Sequence, residues 1–159
     1  MQTPSTTNTR RTRPPAVELL QDLIRFDTTN PPGNEGACIG YLRDLLAGAG
    51  CETTLLARIP DRPNLIARLP GRGDAAPLSL HGHADVVAAG NQPWQHSPFT
   101  ADLVDGWVWG RGALDMKGGL AMMLAAFLRA KSEDCPLPGE VVLAIVSDEE
   151  AGGVYGAQY

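Results

Sequence analysis

Residues 140–153 read EVVLAIVSDEEAGG, and the architecture of the chain is best understood from this stretch. Its first half is a continuous apolar run, as expected for a strand of a parallel sheet that is covered on both faces. Two adjacent carboxylates, Glu149 and Glu150, follow the run. Neighbouring side chains on a regular strand point to opposite faces, so both acids can serve one site only if the chain turns there. The two glycines that come next favour such a turn.

Helical and strand-like patterns alternate along the rest of the chain, which predicts an α/β fold. Apolar residues at helical spacing predict three helices: one opened by Pro14 and Pro15, one ending near Gly48, and one over residues 118–130. Three short strand-like runs lie between the second and third helices, at residues 52–57, 64–69 and 78–83. A long irregular stretch is predicted over about residues 86–107, and a short amphipathic helix over residues 153–159.

Composition and charge limit the classes of function. At 159 residues, with 43% hydrophobic and 19% charged residues, the chain is long enough and apolar enough for one domain with its own core. The first fifteen residues contain three arginines and no acid, so a net charge of −5 for the whole becomes −8 for the remainder. An acidic body argues against nucleic-acid binding, which needs a clustered basic face. No apolar run approaches the length of a membrane span.

The N-terminal segment and the cysteines indicate a compartment. Residues 1–14 are polar and basic, and they lack the apolar region of a secretory signal. We predict a disordered tail there, with an organellar transit peptide as the alternative. Cys38, Cys51 and Cys135 are odd in number and lack C-x-x-C spacing, so Cys38 and Cys51 are interpreted as small buried apolar residues. The expected compartment is a reducing cytoplasm.

The stretch LSLHGHADVV carries the first candidate ligand. Asp85 follows His83 by two positions, so an extended backbone would place both side chains on one face. A carboxylate at that spacing can accept one imidazole N–H and orient the other nitrogen towards a metal. An isolated His–Asp pair is more typical of a hydrogen-bonded core histidine. His81 is interpreted as a structural or site-wall residue.

Two further segments add carboxylates. Asp115, in WGRGALDMKGG, comes at the start of the third helix, where an acid alone would be interpreted as a cap. Lys117 is interpreted as a solvated charge, and the pair Glu149 and Glu150 alone would be a solvated acidic loop. Taken together, one His, one Asp and one Glu form a ligand set for divalent zinc, manganese or cobalt. A shared carboxylate can bridge two ions about 3.5–4 Å apart, and an extra Glu can act as general base.

These motifs resemble those of the di-zinc metallopeptidases and amidohydrolases that include acetylornithine deacetylase, succinyl-diaminopimelate desuccinylase, aminoacylase and glutamate carboxypeptidase. The resemblance implies a three-layer α/β/α zinc-peptidase catalytic domain with a mostly parallel mixed sheet, of which residues 15–159 would be the N-terminal portion. The substrate class implied is an N-acyl amino acid or small peptide. The segments that carry the resemblance are RFDTTNPPGNE, LHGHADVV, W…SPFTA, DGWVWGRGALDMKGG and VSDEEAGG.

The resemblance also implies a role for each residue of the site. His83 would be a terminal ligand of one zinc, and Asp85 its hydrogen-bond partner. Asp115 would bridge both ions, with a cis peptide bond to Met116. Glu149 would be the general base, and Glu150 a terminal ligand of the second zinc. Cobalt or manganese could replace zinc.

Some features of the resembling family are not found in this sequence. The family has a further acidic ligand downstream, a lid domain through which members often form homodimers, and a late histidine ligand. The histidines here are His81, His83 and His96. Each zinc would keep two of three protein ligands, so weakened metal binding and an unstable chain are expected. The alternative function is an inactive remnant with at most weak metal or partner binding. A metallo-β-lactamase pattern is set aside, because Val86 stands where that motif requires histidine.

Overall fold

A computed structural model describes residues 15–90 and 92–159, so the predicted tail over residues 1–14 lies outside the described residues. The order of elements along the chain is mixed α/β, as the sequence predicts. The helices are α1 (Ala16–Arg25), α2 (Gly36–Gly48) and α3 (Lys117–Ser132), and the strands are β1 (Glu52–Ala57), β2 (Pro63–Leu69), β3 (Leu78–His83), β4 (Asp102–Val104), β5 (Trp107–Trp109) and β6 (Val141–Val146). Among the described helices, none is long and apolar enough to cross a membrane.

Four strands form one mixed sheet in the order β1-β2-β6-β3. Strand β6 is parallel to β3, as its apolar run predicts, but it is antiparallel to β2, which is itself antiparallel to β1. The sheet is therefore mixed, as expected, but two of its three described strand pairs are antiparallel, so it is not mostly parallel. The parallel pair is in register from Leu78 opposite Val141 to His83 opposite Val146. The carboxyl ends of β3 and β6 therefore lie side by side, and the segments that follow them are neighbours.

The core lies between one face of this sheet and the three helices. Leu65 and Ala67 of β2 are paired with Ile145 and Leu143 of β6, and all four side chains are fully buried. The alternate residues Val142 and Ala144 are only half-buried, so in the described part of the chain the helices cover one face of β6 and not both faces, although its apolar run predicts that both are covered. Burial of a leucine-sized side chain contributes about 1.5–3 kcal/mol, so this layer supplies much of the stability of the fold.

The predicted irregular stretch contains a two-stranded hairpin. Strands β4 and β5 pair antiparallel across a two-residue loop, Asp105 and Gly106, whose φ angles are 51° and 83°. Two residues with positive φ define the tight hairpin turn that Asp-Gly favours. The prediction of an irregular segment over residues 86–107 is therefore wrong from Asp102 onwards.

The predicted helix over residues 153–159 is also wrong. After β6 the chain forms a short 3₁₀ turn, Glu149–Ala151, and then successive turns. Gly152 and Gly153 have φ angles of 105° and 78°, which an α-helix cannot accommodate. Gly156 approaches the backbone so closely that an added Cβ would lie 1.8 Å from the carbonyl oxygen of Ser147. This segment therefore folds back over the end of β6.

Candidate metal centre

His83 ends strand β3, and its two ring nitrogens face different groups. Nδ1 lies 3.0 Å from the backbone carbonyl oxygen of Asp85 and 3.4 Å from that residue's carboxylate. Since a carbonyl can only accept, Nδ1 carries the hydrogen and donates it. Nε2 lies 3.2 Å from Asp115 Oδ1 and 3.7 Å from Glu149 Oε2. The imidazole is thus held on one side and presents its other nitrogen to carboxylates, which is the orientation that a metal-binding histidine needs.

The electrostatic surroundings of His83 favour its protonated form in the absence of metal. Burial lowers the pKa of the imidazole, but hydrogen bonds to Asp85 and the charges of Asp85 and Glu149 outweigh that effect and raise the pKa to about 9. For Asp85, burial raises the pKa, but the hydrogen bonds that its carboxylate accepts leave the pKa below its ordinary value. A cation is therefore favoured at the position that Nε2 faces.

The carboxylate of Asp85 is fully buried and links His83, at the end of β3, to the turn that follows β6. Its Oδ1 accepts the backbone N–H of Glu149 at 3.1 Å, and its Oδ2 accepts that of Glu150 at 3.0 Å. Oδ2 also accepts the side-chain amide of Asn30 at 2.7 Å. Besides its contact with His83, Asp85 therefore holds the backbone of the turn that carries both glutamates. That second role is not evident from the His-x-Asp spacing.

Glu149 and Glu150 form the 3₁₀ turn after β6, which is the turn that the sequence predicts. His83, Glu149 and Glu150 each offer one ligand atom, and these three atoms lie within 4.8 Å of one another. The side chain of Glu149 is about half exposed, at 53%. Burial, and then the charge of Asp115, raises the pKa of Glu150. The two acids thus face one point beside the imidazole, with Glu149 the more open to solvent.

Asp115 reaches the same point from the start of α3. The peptide bond between Asp115 and Met116 is cis, in agreement with the resemblance. Met116 rather than Asp115 is the N-cap of α3, and this helix start has no side-chain capping bond among the described residues. An added Cβ at Gly82 would lie 3.0 Å from Met116 Cε, so the lack of a side chain there lets the segment approach β3. The Asp115 side chain, 75% exposed, is therefore directed at His83 instead of capping the helix.

Behind the site lies a buried network that the sequence did not reveal. Arg62 donates to Glu35 at 2.6 and 3.0 Å, and its Nη1 lies 2.9 Å from Asp148. The hydrogen bond to Glu35 is the main reason why the pKa of Arg62 is raised. Asn30 also donates to Asp148, at 3.1 Å. Glu35 is fully buried, and Arg62, Asp148 and Asn30 are at most 6% exposed. Asn30 and Glu35 lie in the stretch RFDTTNPPGNE and Asp148 lies in VSDEEAGG, but no pattern indicated that these residues are buried together.

Lys117 corrects another expectation. Its side chain is fully buried rather than solvated, and Nζ donates to the backbone carbonyl of Phe26 at 2.8 Å. Burial lowers the pKa of this amine. The bond joins the start of α3, next to Asp115, to the segment that follows α1. The interpretation of Lys117 as a surface charge is therefore wrong.

The remaining histidines lie apart from this arrangement. His81 is exposed on β3, two residues before His83. His96 stacks against Trp109 with ring centroids 4.9 Å apart and lies 3.1 Å from Asp102. It therefore packs the long connection onto the hairpin.

The donor set fits divalent cations. One imidazole and three carboxylates converge, and all of the donor atoms are nitrogen or oxygen, the ligands of catalytic zinc, cobalt or manganese sites. The centre and the network behind it contain six carboxylates against one arginine and one lysine when the imidazole is neutral. These side chains are Glu35, Asp85, Asp115, Asp148, Glu149 and Glu150, with Arg62 and Lys117.

Comparison with known proteins assigns the chain to a family of peptidases. Residues 79–159 match the model of Peptidase family M20/M25/M40, which is more than half of the chain. The chain belongs to this family. The match begins within β3 and includes every residue of the candidate centre, namely His83, Asp85, Asp115, Glu149 and Glu150.

Individual relatives agree with this assignment. The chain is 39% identical over 146 residues to a succinyl-diaminopimelate desuccinylase of Paracoccus denitrificans, covering 91% of this chain and 37% of the relative. It is 42% identical over 145 residues to a protein of the same name from Gluconacetobacter diazotrophicus, covering 89% and 37%. The chain thus spans a little over a third of the length of these relatives.

Solved structures show the same fold. Human carnosine dipeptidase 1 superposes with a TM-score of 0.78 at 23% identity, over 88% of this chain and 33% of that one. The M20 metallo-carboxypeptidase Sso-CP2 of Sulfolobus solfataricus gives 0.77 at 22% identity, over 88% and 32%. The expected α/β catalytic-domain fold with a mixed sheet is therefore confirmed.

Proposed function

We propose that this chain is part of a divalent-metal-dependent hydrolase that cleaves the amide bond of N-acyl amino acids or small peptides. The observation that carries the proposal is the convergence of His83, Glu149 and Glu150, whose ligand atoms lie within 4.8 Å of one another, with Asp115 3.2 Å from the imidazole. Membership of the peptidase family supports the same reaction class. Because the chain spans about a third of its relatives, the activity is proposed for the protein to which these residues contribute.

Three residues would hold the metal. His83 offers Nε2, Asp115 offers a carboxylate exposed enough to contact two ions, and Glu150 offers the less exposed carboxylate of the turn. Zinc suits this mixed nitrogen and oxygen set, and cobalt or manganese can bind the same donors. When bound, the metal polarises the substrate carbonyl and lowers the pKa of a coordinated water.

Glu149 is the proposed general base. Its backbone is held by Asp85, and its carboxylate is half exposed and lies 3.7 Å from His83 Nε2. Its backbone is therefore fixed, while its carboxylate is accessible to water. As the water oxygen bonds to the carbonyl carbon, Glu149 takes the released proton. It then gives that proton to the amide nitrogen as the C–N bond breaks, so the products are an amine and a carboxylic acid, which loses its remaining proton to solvent near neutral pH.

The similar curated proteins suggest which substrates to test first. Several relatives at 39–42% identity are named succinyl-diaminopimelate desuccinylase. N-succinyl-diaminopimelate is therefore the first substrate to offer, followed by N-acetyl amino acids and dipeptides. The solved dipeptidase and carboxypeptidase are too distant in sequence to choose among these.

A hydrolysis assay with added zinc or cobalt tests the proposal. Glu149→Gln keeps the shape of the side chain but removes the base, so we expect hydrolysis to fall by about 10²–10⁴-fold. Metal content should remain unchanged, since Glu149 is not a proposed ligand. Glu52→Gln, on the exposed edge strand β1, is the matched control and should leave the rate unaltered. In the protein to which these residues contribute, a measurable rate that Glu149→Gln leaves unchanged would contradict the proposed base.

A further inference from the structure

The side-chain amide of Asn30 lies between two buried carboxylates, Asp85 and Asp148. Its Nδ2 is 2.7 Å from Asp85 Oδ2 and 3.1 Å from Asp148 Oδ1. We propose that Asn30 is a positioning residue of the metal centre, which bridges these two acids and thereby fixes the Glu149–Glu150 turn beside His83. The inference rests on the proposed function, because it concerns the same metal ligands.

Backbone hydrogen bonds place Asn30 between Asp85 and Asp148. The segment from Thr28 to Asn30 runs parallel to the segment that follows β3, with a bridge between Thr29 and Val86. Asn30 N–H donates to the carbonyl of Val86 at 2.9 Å, and Val86 N–H donates to the carbonyl of Thr28 at 3.1 Å. Asn30 is therefore held at the level of Asp85, and only 3% of it is exposed.

Both carboxylates accept backbone N–H groups in or near the Glu149–Glu150 turn. Asp85 accepts the backbone N–H groups of Glu149 and Glu150, as described above. Asp148 directly precedes the turn, and its Oδ2 accepts the backbone N–H of Tyr155 at 3.1 Å, beyond the turn. The side-chain amide of Asn30 thus connects Asp85, which binds the backbone of the turn, with Asp148, which directly precedes the turn.

The chemistry of the amide suits this role better than that of other side chains. Asp85 and Asp148 are like charges close together in a buried setting, and a neutral NH₂ group can donate one hydrogen to each. A second carboxylate would add repulsion, and an apolar side chain would leave both oxygens without that donor. Arg62 also contacts Asp148, and its other carboxylate partner is Glu35, so it joins a different pair of acids from the pair that Asn30 bridges.

Loss of the bridge should therefore affect metal binding beyond any effect on folding. Without it, the turn could shift relative to β3, and Glu150 would move relative to His83. Removal of groups that orient metal ligands typically weakens metal binding by about 10–100-fold. Asn30 is not one of the proposed ligands, so its effect would be transmitted through Asp85 and Asp148.

The test is a cobalt titration of the full chain followed by visible absorption, combined with urea unfolding of the metal-free protein. Asn30→Leu keeps the size of the side chain and removes the donor. Asn30→Ser keeps one short donor that cannot reach both acids. If the leucine variant does not fold, the serine variant tests whether the bridge affects metal binding. Gln21→Leu is the control, because it removes a side-chain amide that donates at 2.8 Å to Ala101, away from the centre.

We expect both Asn30 variants to raise the dissociation constant for cobalt by about 10–100-fold and to alter the cobalt absorption band. Gln21→Leu should lower stability without changing either property. The proposal is overturned if the Asn30 variants unfold more easily but bind cobalt with the affinity and spectrum of the unsubstituted chain. If the unsubstituted chain itself binds no cobalt, the proposed metal centre fails, and this inference fails with it.

Discussion

A hydrogen bond of 3.0 Å from the backbone N–H of Glu150 to the carboxylate of Asp85 joins the end of β3 to the turn after β6. The two residues are 65 positions apart in the chain, and the parallel pairing of β3 with β6 brings them together. Asp85 also approaches His83, so one buried carboxylate orients two candidate ligands, His83 at the end of β3 and Glu150 in the turn after β6. The geometry of the centre therefore depends on a residue that need not touch the metal.

Asp85→Asn should destabilise the chain and weaken metal binding. An amide at this position cannot accept from both turn N–H groups and from Asn30, so a buried donor is left unsatisfied. We expect a loss of about 1–3 kcal/mol in the free energy of unfolding, measured in urea. Asp44→Asn, at an acid whose side chain is 71% exposed, should change it by less than about 0.5 kcal/mol. Equal stability of the two variants would show that the Asp85 contacts contribute little.

Arg62→Met should be strongly destabilising, because it leaves Glu35 and Asp148 buried without their shared cation. Breaking a buried ion pair in this way typically costs about 3–5 kcal/mol. Arg68 provides a matched comparison, since it pairs with Glu140 at 2.9 Å but is 45% exposed. Arg68→Met should cost no more than about 1 kcal/mol. Similar losses from both substitutions in urea unfolding would contradict the buried network.

Lys117→Ala should behave as a substitution in the core. It removes a fully buried side chain and leaves the carbonyl of Phe26 without its donor, so we expect a loss of about 2–5 kcal/mol. Lys117→Met keeps most of the volume and should lose less. Lys131→Ala, at an exposed lysine of the same helix, should stay within about 0.5 kcal/mol of the parent. A Lys117→Ala variant as stable as Lys131→Ala would mean that the amine is solvated after all.

The cysteines should differ in reactivity. Burial raises the pKa of the Cys38 thiol to about 11 and also raises the pKa of Cys51, and both are buried, whereas Cys135 is partly exposed. Because a raised pKa keeps a thiol protonated, Cys38 holds very little thiolate at about pH 8. Iodoacetamide followed by mass spectrometry should therefore modify Cys135 first in the native chain, and all three cysteines after unfolding. Labelling of native Cys38 as fast as Cys135 is the contrary outcome.

The parts of the fold that depend on local pattern could be predicted from the sequence. Strands β1 and β3 have the predicted bounds. The turn at Glu149–Ala151 was also predicted, because two adjacent acids can serve one site only if the chain turns there. The hairpin β4–β5 was missed even though Asp105-Gly106 is a strong turn signal. Its strands have three residues each, too short for an alternating pattern to be recognised.

Burial of charged residues could not be predicted in the same way. Lys117 and Arg62 have the sequence surroundings of surface residues, and their burial depends on acceptors far away in the chain. The same holds for Asn30, whose partners Asp85 and Asp148 are 55 and 118 positions distant. A motif identifies groups that could contact a metal, whereas the groups that hold them in place emerge only from the tertiary structure.

The most direct test of the metal centre is a zinc or cobalt titration of the metal-free chain, followed by calorimetry, with His83→Ala and Glu150→Ala compared with His81→Ala. His81 is exposed two residues earlier on the same strand, so its loss controls for the removal of an imidazole. We expect saturable binding that His81→Ala retains and that both His83→Ala and Glu150→Ala abolish or greatly weaken. Binding that is absent from the unsubstituted chain, or equal in all four proteins, would contradict it.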